Sequence, residues 1–203
     1  MISMVKTAVK SALIERKIEE YYAGLDEQFV SYDAWITDKE AKTPVTLALF
    51  RPEAVKVVEF AECSSTFGGT IRSLSDDADS FVVFVNDRNR MAFNAITVIG
   101  DFMLRNPDCV LAYGDEDEWN HDCTVRMNPW FKPDFSPDTL LQYFYYGNVV
   151  VVRANALCDV NWAGADDCLY NLYDMCLRLS LPVKRDKVGH IQYVLYHADD
   201  LKR

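Results

Sequence analysis

The sequence predicts an α/β domain at residues 43–203, preceded by an N-terminal helical arm at residues 1–42. Three observations carry this. Val45–Phe50 and Ser80–Val85 (SFVVFV) are near-continuous apolar runs, the pattern of strands covered on both faces. Between residues 80 and 113 the chain reads strand, helix, strand, the unit from which α/β sheets are built. Both of those strands run into acidic residues, Asp87 after the first and Asp115-Glu116-Asp117 after the second. Such sheets hold ligands at that carboxyl edge.

Taken in order, Ile2, Val5, Leu13, Ile14 and Ile18 recur at helical spacing, so residues 2–23 are expected to form an amphipathic helix that packs on the domain or on a partner chain. Residues 28–40 read as a second short helix with Tyr32, Trp35 and Ile36 on its apolar face. Strands follow at Val45–Phe50 and Val55–Ala61, joined by Arg51-Pro52-Glu53-Ala54, which is too short for a parallel crossover. Ser80–Val85 is the next strand, and Phe93–Leu104 a helix with Ile96, Ile99 and Met103 on one face, stopped by Asn106-Pro107. Val110–Tyr113 is a strand whose exit loop is Asp115–Asp117. Aromatic and β-branched runs at Leu140–Tyr146 and Asn148–Arg153 flank Gly147. Leu169, Leu172, Tyr173, Cys176 and Leu177 mark a helix over 168–181, and Gly189–His197 is the last strand.

Half the residues are apolar, enough to bury a sizeable core. A net charge of -10 excludes a sequence-independent nucleic-acid binder, which needs a basic footprint, and offers no polybasic attraction to anionic lipid. No apolar run reaches the length of a membrane span, and the N-terminus lacks the features of a signal peptide. The six cysteines form no C-x-x-C pair and are expected to be free, buried thiols in a reducing cytoplasm.

The most telling stretch is residues 111–138, LAYGDEDEWNHDCTVRMNPWFKPDFSPD. Asp115 and Asp117 suit a hard divalent ion shared with substrate phosphates, while an acidic loop in an acidic chain is as readily a solvated surface. Trp119 and Trp130 flank the loop and offer flat faces on which a sugar ring can stack, or serve to anchor it.

Five blocks in order resemble family 2 glycosyltransferases of O-antigen and surface polysaccharide synthesis. Ser80–Asn89 is similar to the strand bearing that family's Asp-x-Asp motif, and Asn106–Asp117 to its "YSDED" strand. Phe131-Lys-Pro-Asp-Phe-Ser-Pro-Asp matches "FKPD[WF]SPD" nearly letter for letter. Phe144–Arg153 resembles "NYIGHLVVYR", and Tyr173–Leu179 with Val194–His197 resemble "YDLxLRL" and "VLYH".

The resemblance implies a GT-A-like mixed, mainly parallel sheet flanked by helices, in shortened form. It implies a nucleotide-diphosphate sugar as donor, a glycan acceptor, and Mn²⁺ or Mg²⁺ on the donor phosphates. Carried over residue by residue, Glu62, Asp87 and Arg88 fall on the donor side and Trp119, Trp130, Lys132 and Asp134 on the acceptor side. His197 falls on a metal position, which would add it to Asp115 and Asp117, the pair suited by residue type to a divalent ion. Arg88 replaces a ligand carboxylate and could meet a diphosphate directly by forked hydrogen bonding. Anchored on Leu177-Arg178-Leu179, the catalytic carboxylate position holds Leu172; anchored on the helix start it holds Asp167, beside Asp166, where a helix cap is the alternative role. Asp174 keeps its family place but stands four residues before Arg178, the spacing of a surface ion pair.

Three readings follow. The first is a cytoplasmic glycosyltransferase. The second is an inactive GT-A-like module that binds a partner glycosyltransferase or a glycan. The third is an assembly role through the N-terminal helix, as a homo-oligomer or in complex with a larger glycosyltransferase.

Overall fold

A computed structural model describes residue 17 and residues 30–42, 54–59, 80–160 and 168–198. The chain divides into two units, Met1–Lys42 and Thr43–Arg203. In the first, helix α1 spans Tyr32–Lys42 and starts on Ser31, whose hydroxyl accepts from the Ala34 amide at 3.3 Å. Asp33 in its first turn and Lys39 and Lys42 in its last complement the helix dipole. Ile36 is buried, whereas Trp35 is exposed. Apart from Lys17, which is helical, the helix expected at 2–23 lies outside the described residues, as does the strand expected at 45–50.

The second unit runs β1 (Val55–Glu59), β2 (Phe81–Val85), α2 (Ala95–Arg105), β3 (Leu111–Trp119), β4 (Arg126–Trp130), α3 (Pro137–Gln142), β5 (Val149–Arg153), α4 (Cys168–Ser180) and β6 (Val188–Ala198). The sheet order is β1-β2-β5-β3-β4, with β6 on the other edge of β3. β1 is parallel to β2 and β3 to β6, while β5 opposes both β2 and β3, and β4 opposes β3. Four strands therefore share one direction and two run against it. This is a mixed, mainly parallel sheet flanked by helices, compatible with a GT-A-like fold.

All five residues of β2 are buried, as its unbroken apolar run requires. One face of the sheet packs Val82, Phe84, Leu111, Tyr113 and Val150 beneath Leu172, Met175 and Cys176 of α4. The other packs Val83, Ala112 and Val151 beneath Ala95, Ile99 and Met103 of α2. The six-residue α3 begins with Pro137 in its first turn after Ser136, whose hydroxyl accepts from the Thr139 amide.

Three expectations need correcting. Asp115–Asp117 are not an exit loop: β3 continues through them to Trp119. α2 starts at Ala95, leaving Phe93 fully exposed ahead of it. Of the four cysteines whose side chains are described, all free, Cys109 and Cys176 are buried, while Cys123 and Cys158 are exposed.

Candidate functional site

β3 owes its length to pairing on both edges, with β6 along one side and β5 then β4 along the other. Its register against β6 slips between Gly114 and Asp115 and again between Asp115 and Glu116. Such bulges re-aim side chains that would otherwise alternate. A Cβ on Gly114 would run into the Leu195 side chain and lie 3.2 Å from the Tyr193 carbonyl, so the closest approach of the two strands requires glycine. As a result Asp115, Glu116 and Asp117 are all buried, at 3%, 2% and 0% exposure.

Buried carboxylates need partners, and each has its own. Asp115 accepts from the Lys132 backbone amide at 2.9 Å and pairs with His190 Nε2 at 2.9 Å. Glu116 accepts from Lys132 Nζ at 2.6 Å and from both the backbone amide and the side-chain amide of Asn148, at 2.6 and 2.8 Å. Asp117 binds Arg126 Nε at 2.6 Å and His197 Nδ1 at 2.5 Å. Burial pulls the Lys132 ammonium below its ordinary range, and Glu116 is the chief group working the other way.

Residues 131–137 form a strap tied to this strand. Tyr113 donates from its hydroxyl to the Pro133 carbonyl at 2.7 Å, and the Ser136 amide donates to the Tyr145 hydroxyl at 2.9 Å. The His190 ring bridges the strap to the core, with Nδ1 3.1 Å from Asp134 and Nε2 on Asp115. Burial opposes charge on His190, but the Asp115 and Asp134 carboxylates together outweigh it and hold the imidazole above its usual range. The Lys132 side chain is wholly enclosed and also donates to the Tyr146 carbonyl, so its place is structural and it does not face an acceptor. Trp130 lies over the Lys132 ammonium at 5.0 Å. Within the strap, Asp134 and Phe131 reach solvent.

At the carboxyl end of β2, Asp87 accepts from the Asn89 amide at 2.9 Å and caps the short turn Arg88–Arg90. Arg88 donates to the Val57 carbonyl at 2.6 Å and stands 3.4 Å from Glu59 at the end of β1. Tyr196 of β6 lies in the field of Asp87 and Glu116. Burial first, then those two carboxylates, push its phenol up to about 12. Asp87 and Arg88 thus stand together at the carboxyl ends of β2 and β1.

Asp115, Asp117 and His197 are not assembled as one metal cage. Asp117 and His197 meet directly, but Asp115 pairs with a different histidine. Among the described residues no group of three or more His, Cys, Asp or Glu side chains could hold a metal ion. Trp119, at the end of β3, sets its ring 5.3 Å from that of His197.

The proton-transfer positions are equally telling. Leu172 is 1% exposed in the core, so the position aligned with a catalytic carboxylate is an apolar packing residue. Asp174 is half-exposed and binds Arg178 at 2.7 Å, one helical turn away. Asp166, Asp167 and Glu62 lie outside the described residues.

Sequence reasoning passed over His190, Arg126, Asn148 and Tyr196. Their signal was there in part: GHIQYVLYH places two histidines in a strand, and a parallel strand rich in Asp and Glu is their natural neighbour. The pairing of β6 with β3, not adjacent in sequence, was the missing piece.

Fold and site together define a mixed α/β domain whose carboxyl edge is built from acidic residues, histidine and tyrosine. No protein-family model matches the sequence. The chain is 29% identical, over 204 residues, to the O-antigen biosynthesis protein RfbC of Myxococcus xanthus. That match takes in 98% of this chain and 16% of RfbC, so the chain spans about a sixth of the length of that relative. Among the described residues, no helix is long and apolar enough to cross a membrane.

Proposed function

We propose that this chain serves bacterial surface polysaccharide synthesis as a family 2-type glycosyltransferase domain. It would transfer a sugar from a nucleotide-diphosphate donor to a glycan acceptor. The observation that carries this reading is the alignment of nearly the whole chain with an O-antigen biosynthesis protein. The polar edge at the carboxyl ends of β1 and β2, where Arg88 meets Glu59 and Asp87 caps the next turn, supports it, since it stands where an α/β sheet takes its ligands. The donor lies against Asp87 and Arg88, and Trp119 and Asp134 stand on the acceptor side. The described side chains do not make a cage for Mn²⁺ or Mg²⁺ by themselves, so no step is assigned to a metal ion.

A second reading, an inactive module that binds a glycan or a partner glycosyltransferase, is favoured by one specific observation. Leu172 fills the position of the expected base, and it is buried.

Thermal unfolding of the chain with UDP-, GDP- and dTDP-sugars, each with and without Mn²⁺, separates the two. A donor at a hundred times its Kd stabilises the fold by about 2.7 kcal/mol. The transferase reading expects such a shift together with release of the nucleoside diphosphate. Stabilisation by a glycan alone, with no donor effect and no turnover, would favour the module.

A further inference from the structure

We infer that Arg88 and Arg90 hold the diphosphate of the donor without a divalent ion. The inference rests on the proposed sugar transfer and names the groups that meet the donor's negative charge.

A divalent ion on the donor needs carboxylate oxygens that it can share with the phosphates, and the described side chains do not fit that demand. Asp115 and Asp117 are buried and engaged, the first by the Lys132 amide and His190, the second by Arg126 and His197. Asp87 accepts from the Asn89 amide at 2.9 Å. The next residue is Arg88, whose fixed positive charge repels a cation from the same place. Among the described residues no three His, Cys, Asp or Glu side chains come together as ligands.

The turn that carries the two arginines is tied to three strands. Its first residue, Asn86, donates its amide to the Asn148 carbonyl ahead of β5 at 3.0 Å, and the Arg90 amide closes the turn on the Asp87 carbonyl at 3.1 Å. Beyond it, Met91 bridges to Tyr196 and the Ala92 amide donates to the Leu195 carbonyl of β6 at 2.9 Å. Arg88 reaches back to β1: Nη2 donates to the Val57 carbonyl at 2.6 Å, Nε stands 3.4 Å from Glu59, and its amide donates to Glu59 Oε1 at 3.3 Å. These bonds aim the guanidinium, yet its side chain stays 47% exposed. Arg90 adds a second cation to the turn, and its charge acts on Tyr196 against that of Asp87. The turn leaves the carboxyl end of β2 beside its parallel neighbour β1, the edge at which such sheets take ligands.

With a net charge of -10 the chain as a whole repels a diphosphate, so a local pair of cations decides where one is drawn. A guanidinium meets phosphate oxygens through two parallel N–H donors and keeps its charge at any working pH. Two of them offer what an ion would offer: positive charge in a fixed direction.

The test uses the full 203-residue chain and calorimetric titration with UDP, GDP and dTDP, in EDTA and again with Mn²⁺. The nucleotide that binds should do so with a Kd that differs less than about threefold between the two buffers. Arg88→Gln and Arg90→Gln should each raise that Kd about 10- to 100-fold, the loss of a hydrogen bond between charged groups. A Kd more than about threefold weaker in EDTA overturns the inference without any variant and leaves the proposed function standing. A Kd unchanged in both variants does the same. Binding of none of the three nucleotides in either buffer overturns the proposed function, and the inference with it.

Discussion

Gly147 lies directly against the ion pair between Glu116 and Lys132. A Cβ at residue 147 would overlap Glu116 Oε1 and Lys132 Nζ and lie 2.9 Å from Glu116 Cδ, and the backbone there has φ +79. Two independent demands thus meet at one residue. The left-handed turn into β5 favours glycine, and the buried pair leaves no room for a methyl group. Gly147→Ala is therefore expected to destabilise the fold by roughly 2–5 kcal/mol, backbone strain adding to overpacking. Urea unfolding measures it. A loss under about 1 kcal/mol would mean the pair moves aside easily and is not the fixed anchor described above.

The pair itself makes a second prediction. Lys132 and Glu116 are 0% and 3% exposed as side chains and 2.6 Å apart. Removing one member leaves the other charged and buried, which typically costs about 3–5 kcal/mol. Lys132→Met should show that loss, and Glu116→Gln in the same chain should recover a substantial part of it. A double-mutant cycle checks the coupling, and additive losses would count against a direct pair.

How far the sequence could be read depends on the kind of signal. Val82–Val85 and Val149–Val152 are apolar at every position, and a strand buried on both faces needs nothing else to be recognised. The helical spacing in α4 was legible for the same reason. Asp115–Asp117 misled because three acids in a row in an acidic chain resemble a loop, and only a partner strand with matching bases makes them a core. That strand, β6, comes more than seventy residues later, and its register slips twice against β3. Neither the partner nor the slip is written in local pattern. Lys132 was misplaced likewise: a lysine between an aromatic residue and a proline looks exposed until Glu116 and the Tyr146 carbonyl are seen around it.

The exposed and buried sites on α4 should respond in opposite ways. Leu172 is fully packed between α4 and the sheet, and Leu172→Ala should cost about 2–5 kcal/mol through the cavity it opens. Asp174→Asn disturbs only the half-exposed pair with Arg178, which solvent screens, so its unfolding midpoint should match the wild type within error. Nucleoside diphosphate release should also be unchanged in Asp174→Asn. A selective loss of turnover there would restore Asp174 as a participating carboxylate.

The last prediction concerns pH and His190. Asp115 lies on its Nε2 from within the core, Asp134 on its Nδ1 from the strap, and Tyr113 stacks on its face at 5.3 Å. The two carboxylates outweigh the cost of burial and raise the imidazole above its unfolded value of about 6.5. A group raised on folding binds its proton more tightly in the native state, so it stabilises the fold fully below its unfolded pKa. That contribution fades as pH climbs from about 6.5 through the folded value. The unfolding midpoint of the wild type should therefore fall across that interval by more than that of His190→Gln, which carries no titrating ring. The difference between the two curves isolates His190 from the other groups that ionise in the same range. If the strap is held by the charged form, amide-exchange protection relative to the intrinsic rate at Asp134 and Phe135 should fall over the same interval in the wild type alone. Parallel curves for the two proteins would show that the His190 bridge contributes no more charged than neutral.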